Sequence, residues 1–215
     1  MMRVTIFGAS GATGKLLTER CLAAGYSVTA LVRTPEAYSY ASQVRVVKGD
    51  AFNPQAVAEA LVGTDVVMSA LGAKSLKKED VLERAVPLIV AAMEKNGPKR
   101  IIALGSAGAL PTALDKQPAW RRWIVQHIVY NTFLKYPVAS QIAQYKTLSA
   151  SSLDWTMPMP PMLRNVDGKG LAKVRVDRDA LPPGASRISR ADVADFMMAQ
   201  VMSEEFSRSG VYISW

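Results

Sequence analysis

The stretch Val4-Thr5-Ile6-Phe7-Gly8-Ala9-Ser10-Gly11-Ala12-Thr13-Gly14 decides the fold. A β-favouring run enters three glycines at every third position, and a helical pattern over residues 14–24 follows. A strand feeding a glycine turn that opens a helix is the context in which such glycines cradle a dinucleotide. Glycine permits the tight turn and lets backbone approach a pyrophosphate, while amides at the helix N-terminus face its charge. Gly8, Gly11 and Gly14, with Ala12 between them, form the expected cradle, and Ser10 and Thr13 add hydroxyl donors. The alternative is a glycine-rich turn with no ligand; the flanking strand and helix argue against it. Lys15 is followed by Leu16, so the Gly-Lys-Ser/Thr ending of an ATP-type loop is absent.

The second strand sharpens the reading. NAD-selective sites carry an acidic residue about twenty positions beyond the glycines, where it binds the ribose hydroxyls. Arg33 stands there, followed by Thr34. A guanidinium pairs with a 2′-phosphate that a carboxylate would repel, so NADP(H) is expected over NAD(H). Later strand ends face the same crevice in a parallel sheet. Asp50 and Ala51 end the third, with Asp50 placed to accept from the adenine amino group. Ala70, Leu71 and Gly72 end the fourth, where small residues let the cofactor cross. Ser106 follows the fifth and offers a hydroxyl near the nicotinamide.

Outward from this core, short apolar runs at 4–7, 27–32, 44–47, 66–71, 101–104 and 155–159 alternate with helical patterns at 14–24, 54–62, 79–95 and 138–150. Alternation of this kind predicts a single α/β domain over 1–215, a Rossmann-like doubly wound parallel sheet with helices on both faces. Pro87 inside the third helical pattern predicts a kink or a later start. A charged strand at 171–178, a helix at 191–202 and an end strand at 211–214 close the chain. Composition agrees: of 215 residues 49% are hydrophobic and 20% charged, enough apolar matter for a core and too little charge for disorder. One cysteine and one histidine exclude a disulfide framework and a cysteine/histidine zinc site, and no metal is expected. The net charge of +8 permits anionic partners without choosing one. Without a recognisable reading helix, nucleic acid is not expected. Neither a secretory signal nor a run of about 18 uncharged apolar residues is visible, so a cytoplasmic protein without stable membrane insertion is expected.

The residues quoted resemble the atypical short-chain dehydrogenase/reductase group, in its NAD(P)H-binding, NmrA-like branch. The likeness rests on Thr5 to Gly14, on Ala24-Gly-Tyr-Ser-Val-Thr-Ala-Leu-Val-Arg33, on Val47-Lys-Gly-Asp50, on Ile89-Val-Ala-Ala-Met93, on Met159-Pro-Pro161 and on Ser186-Arg-Ile-Ser-Arg-Ala-Asp-Val-Ala-Asp-Phe-Met197. It implies an NAD(P)H-dependent reductase passing hydride to a planar acceptor such as a flavin or linear tetrapyrrole. With Arg33 selecting the cofactor, the expectation is an NADPH-dependent reductase of a small planar flavin, quinone or linear tetrapyrrole. Some NmrA-like proteins are instead non-catalytic NADP(H) sensors, which is the alternative. By the same resemblance Pro160 and Pro161, with Met162 after them, border the nicotinamide, and Ser106 matches a nicotinamide-side serine. Biliverdin reductases of the branch carry histidine where Met162 stands, and a thioether donates no proton.

Catalytic candidates are few. Ser106 is the first, orienting the carboxamide or the substrate. No Tyr-x-x-x-Lys pair exists, but Tyr145 and Lys146 lie on a helix expected to approach the crevice, Tyr145 as a catalytic and Lys146 as a cofactor-binding candidate. Met157, Met159 and Met162 read either as an adaptable apolar wall or as core. Residues 110–137 look long for the branch and are expected to form a lid or an interface. A basic, aromatic helix over 118–135 would serve as the lid or the contact of a homodimer, and His127 within it reads as structural.

Overall fold

A computed structural model of the chain describes residues 1–73 and 75–215. Ten strands and six α-helices follow in order: β1 (Arg3–Phe7), α1 (Ala12–Ala23), β2 (Ser27–Val32), β3 (Arg45–Lys48), α2 (Pro54–Leu61), β4 (Val66–Ser69), α3 (Val81–Asn96), β5 (Arg100–Ala103), α4 (Ala119–Ile124), α5 (Lys135–Ala150), β6 (Asp154–Met159), β7 (Met162–Arg164), β8 (Arg175–Asp177), β9 (Arg187–Ser189), α6 (Arg190–Ala199) and β10 (Ser209–Ser214). The main sheet has the order β3-β2-β1-β4-β5-β6-β10-β8, with β7 and β9 pairing separately. Its first six strands keep the Rossmann order, and the direction of winding reverses between β1 and β4, where such folds bind ligands.

Every pairing in the main sheet is parallel except the last, β10 with β8. Central strands are buried on both faces, which is why they read as continuous apolar runs. Ile6, Met68 and Ile102 face one core layer under α1 and α6. Phe7, Val67 and Ile101 face the other, under α2, α3 and α5. Thr5, the polar residue inside β1, is satisfied by donating to the Ala60 carbonyl at 2.9 Å.

The doubly wound expectation therefore holds, with differences at the edges. The charged run expected as a strand over 171–178 gives a 3-10 turn at Leu171–Lys173 and only the short antiparallel edge β8. Its charges suit an edge: Asp177 pairs with Lys116 at 2.7 Å. Helix α3 begins at Val81, later than the periodicity implies, and continues to Asn96 with Pro87 inside it on the exposed side. Between β5 and α5 the chain makes two 3-10 turns and then α4, which passes into a π-helical stretch at Val125–Phe133 rather than one regular helix. Trp120, Trp123 and Phe133 are exposed along it, while Tyr130 turns inward, where burial raises its phenol pKa. His127 is part of this surface, stacked on Trp123 at 5.3 Å with Nδ1 3.0 Å from the Trp123 carbonyl oxygen. Among the described residues no helix is long and apolar enough to cross a membrane, and no cluster of potential metal ligands is found.

Candidate functional site

The carboxyl ends of β1, β2, β4, β5 and β6 open into one crevice of about 700 Å³. The glycine turn forms its floor. Gly8 adopts φ +79°, the left-handed region that glycine enters without penalty, and a Cβ there would lie 2.7 Å from the Ala70 carbonyl oxygen. Gly14 has a different task. It stands inside α1, not in the loop, and a Cβ on it would sit 2.1 Å from the Gly8 carbonyl oxygen. Absence of that atom lets the helix press onto the turn, which aims the first-turn amides at the crevice.

Those amides are uncommitted. Gly11 caps α1 without a side-chain acceptor, and the first turn holds no acidic residue. By contrast α2 is capped by Asn53 Oδ1, which accepts from the Gln55 and Ala56 amides. An uncapped N-terminus with its partial positive charge, pressed close by glycine, fits a diphosphate. Gly8, Ser10, Gly11, Ala12 and Thr13 all line the crevice.

At one end, Arg33 and Asp50 line the same space, with Arg33 Nη1 4.0 Å from Asp50 Oδ2. Asp50 Oδ1 accepts from the Phe52 amide at 3.1 Å, while Oδ2 faces Arg33. Ala51 and Phe52 border that end, and the Arg84 guanidinium lies 4.1 Å over the Phe52 ring. Ala70, Leu71 and Gly72 form the middle. At the far end stand Ser106, Pro160 and Pro161, held together because the Ala107 amide donates to the Pro160 carbonyl at 2.9 Å.

Four expected residues lie elsewhere. Tyr145 is the main correction: its ring is partly buried against the core, edge-on to Trp155 at 5.6 Å and beside Gly210. The crevice meets only the beginning of α5, at Pro137, Val138, Ser140 and Gln141. One helical turn beyond Gln141 carries Tyr145 about 6 Å further down the helix, away from the strand ends. Lys146, next to it, is exposed and outside the crevice, as is Thr34. Met162 is 59% exposed; alternation along β7 turns its neighbour Leu163 to the crevice instead. Met157 and Met159 are fully buried core residues, so no methionine wall exists.

Residues that the sequence reading missed fill those places. Ser140 donates to the Glu83 carboxylate at 2.7 Å, tying α5 to α3 beneath Gln141. Gln141 Oε1 in turn accepts from Gln144 Nε2 at 3.3 Å. Leu163 and Arg190 line the wall built by β7 and β9. That wall hangs on Asp192, whose buried carboxylate accepts from the Lys169 and Gly170 amides, the Ser189 hydroxyl and the Trp215 indole at 2.7–2.9 Å. Burial pushes this carboxyl pKa up, but the hydrogen bonds together outweigh it and hold the pKa below the ordinary value.

The fold and crevice define a Rossmann-like α/β architecture with a dinucleotide-sized cleft at its topological switch point. The chain belongs to the NAD(P)H-binding family, whose model matches residues 8–204. Among solved structures it is similar over its whole length to a putative exported protein from Burkholderia pseudomallei, with 28% identity, 100% of that chain covered and a TM-score of 0.78. ChuY, an anaerobillin reductase from Escherichia coli O157:H7, matches 99% of this chain and 97% of its own at 20% identity and a TM-score of 0.82. A wide-type short-chain dehydrogenase/reductase from Veillonella parvula in complex with NADP matches 100% and 94% of the two chains at 19% identity and a TM-score of 0.80.

Proposed function

We propose that this protein is an NADPH-dependent reductase acting on a planar acceptor such as a flavin, quinone or linear tetrapyrrole. The observation that carries the reading is the continuity of the crevice from Arg33, across the uncapped start of α1, to Ser106 and the paired prolines. When bound, the nicotinamide supplies the hydride, and NADPH plus a solvent proton becomes NADP⁺ as the acceptor gains two electrons and two hydrogens. The chain's own contribution is binding and orientation. Arg33 pairs with the 2′-phosphate, the α1 amides take the diphosphate, and the Ser106 hydroxyl orients the carboxamide or the acceptor. Pro160, Pro161 and Leu163 offer an apolar wall that keeps water from one side of a flat ring.

The described crevice lining contains no tyrosine, lysine or histidine. Acceptors whose reduced form takes its proton from water are therefore favoured over ketones or aldehydes, whose developing alkoxide calls for a side-chain acid. The same observation supports the second reading, a non-catalytic NADP(H) sensor. Steady-state NADPH oxidation with FMN, FAD, quinones and biliverdin separates the two. Turnover with at least one acceptor is expected; tight NADPH binding with none reduced transfers the assignment to the sensor.

A further inference from the structure

We propose that Arg190 is an anion seat on the acceptor side of the crevice, binding the carboxylate or phosphate of a planar conjugated acceptor. The proposal rests on the reductase reading above and names a feature of its substrate. Arg190 is the first residue of α6, half-buried, and it lines the crevice beside Pro160, Pro161 and Leu163. Its guanidinium donates to Asn165 Oδ1 at 2.6 Å. Among the described residues no carboxylate lies within ion-pair distance of it. A guanidinium carries five N–H donors, so one contact with a neutral amide leaves most of its capacity and all of its charge for a ligand.

The placement is hard to explain by stability. A cation in the first turn of a helix opposes the helix dipole, and Asp192 in that same turn only offsets it. Residues that break a local rule at the rim of a crevice are the ones expected to serve binding. The support beneath is rigid: β9 pairs with β7 through Leu163 and Ile188, and the Asp192 network fixes the junction of β9 and α6.

The two cofactor anions have other partners, the diphosphate at the α1 amides and the 2′-phosphate at Arg33. Arg190 instead belongs to the wall that continues from the prolines beside Ser106. Leu163 and Pro161 give that wall an apolar surface ending in a positive charge. The matching ligand is a flat apolar ring system with an acidic tail.

Riboflavin and FMN share one ring system and differ by a phosphate, which makes them the probe pair. The readout is the ratio of kcat/KM for FMN to that for riboflavin at saturating NADPH. Arg190→Gln is expected to lower it about ten-fold through loss of a charge-assisted hydrogen bond, and Arg190→Lys to restore part of it. Thermal melting checks that each variant is folded. An unchanged ratio overturns the proposal. So does weakening of NADPH affinity in step with FMN, since the seat would then belong to the cofactor diphosphate. If NADPH binds but neither the flavins nor quinones nor biliverdin are reduced, the reductase reading fails separately. The seat is then read by calorimetry of FMN and riboflavin binding to the NADP⁺-saturated protein and its Arg190→Gln variant. Equal affinity of the two flavins for the unaltered protein, or no binding of either, overturns it.

Discussion

Replacing Arg33 by Asp tests the cofactor assignment most directly. The side chain is 61% exposed at the end of β2, so its pairing with a 2′-phosphate sits at the weak end of charge-assisted hydrogen bonding, about 1.5 kcal/mol. The substituted carboxylate adds repulsion: two negative charges on the phosphate, about 6 Å away in a water-like dielectric, cost roughly 1.4 kcal/mol. Together these weaken NADPH binding by about 3 kcal/mol, or roughly a hundred-fold. NADH bears a hydroxyl at that position, from which a carboxylate accepts, so its affinity holds or improves. Titration of nicotinamide fluorescence with both cofactors at fixed ionic strength measures the two changes. Salt must be held constant because the repulsion extends over most of a Debye length, about 8 Å at 0.15 M. Asp50 stands close to the new carboxylate and adds a like-charge contact. Arg33→Gln, which removes the attraction without that repulsion, is expected to lose roughly ten-fold for NADPH alone. Equal losses for NADPH and NADH in both variants would refute the phosphate role.

Further outcomes follow from other contacts. Gly14→Ala places a Cβ 2.1 Å from the Gly8 carbonyl oxygen and 2.7 Å from Ala9 Cα, both backbone, so the turn must move. A destabilisation of about 2–3 kcal/mol in melting and loss of NADPH binding are expected, and unchanged affinity would contradict the cradle. Ser106→Ala is expected to slow turnover about five-fold, the worth of one hydrogen bond; an unchanged kcat removes Ser106 from the reaction. Asp192→Asn sets an amide NH₂ against donors now accepted by the carboxylate, costing about 3 kcal/mol and lowering Tm by roughly 6–12 °C. Because the folded pKa of Asp192 is depressed, its stabilisation is present above the unfolded carboxyl pKa and disappears as pH falls through the folded value. Asp65, held at about 2 by hydrogen bonds from Arg3, loses its contribution between about pH 4 and pH 2. Melting curves from pH 6 to pH 2 should therefore fall less steeply for Asp192→Asn than for the unaltered chain.

What the sequence revealed, and what it concealed, divides along a physical line. The cofactor half of the crevice is built from local code: a strand, a glycine turn and a helix contiguous in the chain, then residues at fixed offsets from successive strand ends. The placement of Gly8, Arg33, Asp50 and Ser106 in one crevice was readable because it depends on backbone position, and parallel strands bring their carboxyl ends together whatever the side chains beyond. The acceptor half is built from tertiary contacts with no such code. Tyr145 was expected at the crevice because its helix was expected to approach it, but α5 meets the strand ends only along its first two turns. Met162 was expected because it follows the prolines, yet the pairing of β7 with β9, across more than twenty residues, decides that Leu163 faces inward. No periodicity signals a three-residue strand. One clue was present: Ser189 followed at the third position by Asp192 is a helix-start pattern, and it placed Arg190 in the first turn, where a cation gains nothing from the helix. Local rules thus locate the machinery shared by such folds. The wall opposite the glycine turn instead depends on the pairing of two distant segments, β7 and β9.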